Sequence, residues 1–223
     1  MEYGDKNNNK VYIRGEILSQ ANFSHEVYGE GFYEMLVLVK RLSGQADILP
    51  VTISERLIEE KDLQVGSILS AIGQFRSYNK MVDGKSKLML TVFVREILPV
   101  DESKNPNSIV LSGYIFTEQI YRTTPFNREI SDVLIAVNSA YNKSDYIPWI
   151  AWGRNARFVK NLKVGDFITI SGRIQSREYQ KKLSDTDVRT MTAYEVSINK
   201  LSTEEADFAL DSQIEDIKLS VSL

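Results

Sequence analysis

Two short stretches of this chain place aromatic and basic side chains at alternate positions. One reads Tyr146-Ile-Pro-Trp149-Ile-Ala-Trp152, the other Arg173-Ile-Gln-Ser-Arg177-Glu-Tyr179. In an extended strand, successive side chains point to opposite faces. Tyr146, Pro148, Ile150 and Trp152 then share one face of the first stretch. Arg173, Gln175, Arg177 and Tyr179 share one face of the second, opposite Ile168, Ile170 and Ile174, with a bulge near Gly172 adjusting the register. One face has to fill a core, so if Tyr146 and Trp152 point outward, Ile147, Trp149 and Ala151 point inward. Aromatic rings beside guanidinium groups have a definite chemistry. Rings stack on nucleobases of any sequence, and cations neutralise phosphates. The competing reading is structural, because Tyr and Trp favour sheets for their packing alone.

Bond-breaking chemistry has less to work with. The chain has no cysteine and one histidine, His25, in a polar loop-like stretch. It has no glycine-rich phosphate loop and no carboxylate cluster recurring on one strand. The expectation is no enzyme, no cofactor and no metal, although fold alone excludes nothing. The composition, 43% hydrophobic and 26% charged, is that of an ordinary soluble protein. Apolar runs such as 35–39 and 147–152 are far too short to span a bilayer. Residues 1–10 are polar, without the apolar centre of a signal peptide. The expectation is a cytoplasmic protein with no membrane partner.

The elements that position these residues emerge from a repeat of about 98 residues. Asn9-Lys-Val-Tyr-Ile-Arg-Gly15 matches Asn107-Ser-Ile-Val-Leu-Ser-Gly113. Asp47-Ile-Leu-Pro50 matches Asp145-Tyr-Ile-Pro148, and Leu63-Gln-Val-Gly66 matches Leu162-Lys-Val-Gly165. Ser70-Ala-Ile-Gly73 matches Thr169-Ile-Ser-Gly172. Glycine and proline agree at equivalent places, where backbone geometry is the constraint. Each copy reads as strands at 11–17, 35–39, 48–53, 67–78 and 88–98, or at 109–115, 133–137, 146–152, 166–179 and 190–201. A short helix at 55–63 or 155–162 falls between the third and fourth strands. Five strands with a helix in that place is the order of an oligonucleotide/oligosaccharide-binding (OB) barrel. The fold class expected is all-β: two tandem five-stranded OB barrels, spanning 1–103 and 104–201, with an acidic tail or short helix at 202–223.

Charge separates the copies. Residues 1–103 carry 12 Lys and Arg against 15 Asp and Glu, a net of −3. Residues 104–201 carry 14 against 9, a net of +5, and residues 202–223 carry 1 against 6, a net of −5. A basic second copy beside an acidic tail is informative where the whole-chain net of −3 is not.

The second copy resembles the bacterial single-stranded DNA-binding (SSB) proteins. The likeness runs from Asn107-Ser-Ile-Val-Leu-Ser-Gly113, through Ala136 and Trp149-Ile-Ala-Trp-Gly153, to Ile170-Ser-Gly-Arg-Ile-Gln-Ser-Arg-Glu-Tyr179 and the strand 190–198. The resemblance implies sequence-independent coating of single-stranded DNA in replication, recombination or repair, and a nucleoid-associated location. It places stacking aromatics at Tyr146, Trp152, Tyr179 and, with loop length intervening, Tyr141. It places phosphate-binding cations at Arg154, Arg173 and Arg177. Arg122, Arg157, Lys181 and Lys182 are further candidates. Family members commonly assemble four OB barrels, which a homodimer of this chain would supply.

In copy one the equivalents of Tyr146, Trp152 and Tyr141 are Ile48, Ser54 and Ser43. That copy is expected to be a scaffold or oligomerisation unit with a degenerate binding face, although Arg56, Arg76, Tyr78 and Lys80 would extend a DNA path. In the tail, Ser202-Thr-Glu-Glu205 reads as a capping box, followed by Ala206, Leu210, Ile214 and Ile217 at helical spacing. The tail is either an amphipathic helix packed on a barrel or a tail recruiting replication or repair proteins. It departs from the resemblance, since its acids lie upstream of Leu219-Ser-Val-Ser-Leu223. Two alternatives stay open: an OB-fold protein-interaction module of a primosome or mobile element, and a single-stranded RNA binder.

Overall fold

A computed structural model describes residues 8–59, 61, 63–82, 84–139, 143–182, 188–204, 206, 208 and 210–219. Apolar residues alternate along most strands, and closing the inward faces upon each other makes two barrels. In the first, β1 (Asn9–Ile17), β3 (Glu30–Lys40), β4 (Ala46–Ser54), β5 (Ile68–Val82) and β6 (Lys85–Ile97) close through β3–β1 and a parallel β4–β6 pairing. In the second, β7 (Asn107–Ile115), β9 (Glu129–Asn138), β10 (Ser144–Trp152), β11 (Phe167–Lys182) and β12 (Val188–Ser202) close in the same way. Helices α1 (Glu55–Glu59) and α2 (Arg154–Val159) follow the third strand of each barrel, as the sequence order predicts. Two strands escaped the sequence reading. β2 (Asn22–Val27) and β8 (Ile120–Thr123) each add a short hairpin to β3 or β9. β2 is exposed throughout, so it carries no buried alternation to read.

The cores correspond position by position, with one exchange of volume. Val11, Ile13, Val37 and Leu49 fill barrel one where Ile109, Leu111, Ile135 and Ile147 fill barrel two. Barrel one then uses Val51 and Phe75 where barrel two uses Trp149 and Ile174, all but fully buried. A large and a small side chain have traded strands at constant packing.

The barrels are not beads on a string. β1 pairs antiparallel with β7, so that all twelve described strands belong to one continuous sheet. Val11 pairs with Ile109, its own repeat equivalent. The flanking bonds are mates under the same relation: Arg14 N–H donates to Pro106 O, and Ser112 N–H to Asn8 O, both at 2.8 Å. A two-fold pseudo-symmetry axis therefore passes through the seam. Farther out, Ser77 N–H donates to Asp145 Oδ1 (2.7 Å) and Ser176 N–H to Asp47 Oδ1 (2.8 Å). Both carboxylates are buried, and each meets a guanidinium, Arg76 for Asp145 and Arg41 for Asp47.

The tail corrects one expectation. Ser202 closes β12 instead of opening a helix, and its hydroxyl accepts the Glu204 N–H. Helix α3 begins at Leu210 and ends at Leu219. Leu210, Ile214 and Ile217 pack on Tyr12, Ile72, Leu98 and Val110, the outer face of the sheet across the seam. Lys10–Asp211, Lys104–Asp216 and Lys218–Glu96 ion pairs frame that contact. Among the described residues no helix is long and apolar enough to cross a membrane.

Candidate nucleic-acid interface

Strand β10 sorts its aromatics by face. Ile147, Trp149 and Ala151 are buried, Trp149 at 1% exposure, while Trp152 is 39% exposed. The indole N–H of Trp152 donates to Ser197 Oγ on β12 at 3.3 Å, which fixes the ring at the barrel surface. Gly153 follows in the left-handed region, φ 54°, and turns the strand into α2. That corner makes Arg154 the first residue of α2, on the exposed surface.

Tyr146 lies at the other end of β10, half-buried, its ring 4.5 Å from that of Phe116. Its backbone N–H donates to Ser77 Oγ of barrel one, so this end of the strand is held by the junction. Phe116 is 47% exposed and was missed by the sequence reading. Its only signal is an aromatic ring in an otherwise polar segment after β7.

Strand β11 keeps its alternation without a break, because the extra residue of the bulge lies on β12. Ser171 pairs with Lys200 and Gly172 with Ile198, leaving Asn199 unpaired. Gly172 is needed opposite, since a Cβ there would collide with the Ser197 carbonyl oxygen. Past the bulge, Ile174 points into the core, Arg173 lies half-buried near the junction, and Gln175 is buried against Glu195. Arg177 and Tyr179 stand out on the protruding β11–β12 hairpin. The Arg177 guanidinium is 6.0 Å from the Tyr179 ring centroid and 3.7 Å from Glu195. Lys181 is exposed farther along the same hairpin.

The remaining candidates are spread out. Arg122 on β8 pairs with Asp132, and Arg157 on α2 with Glu129, both at the surface. Tyr141 lies outside the described residues, as does the side chain of Lys182.

Barrel one is less bare than a position-by-position comparison suggests. Ser54 does replace Trp152, and it is buried. On the neighbouring strand, however, Phe93 of β6 stands where Ser197 stands in barrel two, each paired beside the third strand. Phe93 lies 5.5 Å from Phe32, and Phe32 stacks on His25 at 5.2 Å. Arg95, the bulge residue equivalent to Asn199, sits 5.1 Å over the Phe93 ring. The aromatic has moved one strand across, which no aligned pair of positions reveals. Tyr78 donates to Glu34 at 2.9 Å, and burial, with that bond second, pushes its phenol up to about 12.

The fold and this surface define a tandem OB-fold protein with an aromatic and basic face on its second barrel. Residues 106–203, the second barrel with its flanks, match the model of the single-strand binding protein family. Single-stranded DNA-binding proteins of Clostridium tetani and Streptococcus agalactiae are each 32% identical over 83 residues. Those matches cover 34% of this chain, and 57% and 60% of the relatives, so the matched region spans little more than half of each relative. Among solved structures, the wild-type single-stranded DNA binding protein from Thermus aquaticus superposes with a TM-score of 0.69 at 20% identity. That superposition covers 89% of this chain and 94% of the other, and so extends the likeness of fold to both barrels.

Proposed function

We propose that this chain binds single-stranded DNA without sequence specificity, in replication, recombination or repair. The observation that carries the reading is Trp152, held at the surface by Ser197 on a barrel that matches the single-strand binding family. Trp152, Tyr146 and Tyr179 stack bases, at roughly 1–3 kcal/mol per base. Arg154, Arg177 and Lys181 neutralise phosphates, with Arg122 and Arg157 at the margin. Tyr141 and Lys182 belong to the same proposal. Two chains joined as a homodimer would present four barrels, in the cytoplasm where nucleoid DNA lies.

Intrinsic fluorescence tests this directly, because Trp149 is sealed in the core and Trp152 is open. Adding oligo-dT is expected to quench the Trp152 share of the emission, and raising salt to restore it. Absence of quenching at low salt, together with no gel-mobility shift, would defeat the reading. Oligo-U in parallel separates DNA from RNA preference, and light scattering checks the dimer.

A further inference from the structure

Between the two barrels lies a cleft of about 480 Å³ that the stacking surface does not account for. The 41–45 turn of barrel one forms one wall, and β11 and β12 of barrel two form the other. Lys40, Arg41, Asn105, Arg173, Ser197 and Asn199 all line it.

The two guanidinium groups are in different situations. Arg41 is committed: its Nε and Nη2 donate to Asp47 at 2.7 and 2.6 Å, and Nη1 to Gln45 at 3.0 Å. Among the described residues Arg173 donates one bond of this kind, Nη2 to Gln175 Oε1 at 3.1 Å, and its buried Nε has no hydrogen-bond partner there. Burial pulls the Arg173 pKa below the usual arginine value, and the charge of Arg41 pulls it further, against the opposing pull of Asp47. A half-desolvated guanidinium thus faces a second one whose carboxylate is already engaged. An anion in the cleft would offset that repulsion.

The duplication supplies an internal control. At the symmetry-related junction, the positions of Lys40, Arg41 and Arg173 hold Asn138, Ser139 and Gln74. The buried carboxylate there, Asp145, takes its cation from Arg76 instead. The same junction is therefore built without this cluster, and the fold does not demand Lys40 or Arg173. The cleft also adjoins the stacking surface, since Ser197 lines it and accepts the Trp152 indole N–H.

We propose that this cleft holds a phosphate of the strand stacked on Trp152, with Arg173 and Lys40 as its ligands. The strand then leaves barrel two here and continues onto barrel one. The inference rests on the DNA-binding reading above and adds to it a cross-barrel contact.

Arg173→Gln, which installs the residue found at Gln74, and Lys40→Ala, at an exposed position, test it in the full-length chain. Thermal melts confirm that each variant folds. Oligo-dT is expected still to quench Trp152 in both, with Kd raised roughly three- to tenfold. The slope of log K against log salt is expected to fall by about 0.7 for each phosphate that the variant leaves un-neutralised. Retained quenching with an unchanged slope in both variants overturns the cleft assignment and leaves the DNA reading intact. No quenching in the wild type overturns both. Calorimetry with inorganic phosphate separates the sources. Phosphate binding that Arg173→Gln abolishes, while the DNA slope stays unchanged, assigns the cleft to a free anion and defeats the strand contact.

Discussion

Two tryptophans three residues apart divide between core and surface, and strand alternation sets them on opposite faces. Trp149 is odd-numbered along β10 with Ile147 and Ala151, and all three are buried. Trp149→Ala is expected to cost about 3–5 kcal/mol of stability by leaving a cavity, read as a drop in the urea midpoint. Trp152→Ala is expected to leave that midpoint within about 0.5 kcal/mol. It should weaken oligo-dT binding by about 1–3 kcal/mol, measured by mobility shift because the reporter is removed. Equal effects on stability would contradict the division. Tyr78 offers a pH test. Its folded pKa of about 12 lies above the ordinary value of 10.0, so the folded state holds that proton more tightly than the unfolded one. Stability from this group is present below pH 10 and is lost as pH rises toward 12. Glu34→Gln should narrow that window in denaturation curves. At this scale the sequence was legible wherever burial has period two. It was silent on Phe93, because the exchange of Ser54 and Phe93 for Trp152 and Ser197 runs across strands.

At the scale of elements, the five barrel strands of each copy and both barrel helices were legible from apolar runs and the glycine–proline frame. The bulges were only half legible. Gly172 marked one of the two, but the extra residue lies on the partner strand, at Asn199 there and at Arg95 in barrel one. Gly172→Ala would drive a methyl group into the Ser197 carbonyl. It is expected to cost about 1–3 kcal/mol as the hairpin shifts, and to weaken DNA binding as well, since Trp152 leans on Ser197. Stability lost with binding unchanged would show that the bulge does not position the surface. Helix α3 has its apolar spacing in plain view, but its docking place was not. The equivalents of Tyr12, Ile72 and Leu98 are Val110, Ser171 and Ser202, so only the barrel-one side of the seam is strongly apolar. Ile217→Asp is expected to release α3, seen as faster proteolysis after 202 and a lower melting temperature. Unchanged proteolysis would mean that the ion pairs to Lys10, Lys104 and Glu96 hold the helix unaided.

For the whole molecule, the β1–β7 seam joins two barrels of opposite net charge into one twelve-stranded sheet. The two halves are therefore expected to unfold together, as one transition in urea by both far-ultraviolet dichroism and tryptophan emission. Trp149 and Trp152 report only on barrel two, so non-coincident curves would show the barrels melting separately.

Ordinary two-fold dimers pair at a rate and extent that fall with dilution. Here the nine residues between β6 and β7 hold the seam at an effective concentration on the order of millimolar, so the pairing does not depend on how much protein the cell makes. Covalent joining also changes what a single substitution can do. In a dimer of identical chains every change is made twice, once on each side of the axis. In this chain it is made once. That is the condition under which Arg173 can face a cleft while Gln74 occupies the mirror position, and Trp152 can stand where its counterpart is a buried serine. Two barrels in one chain keep the geometry of a symmetric pair while their halves remain free to differ.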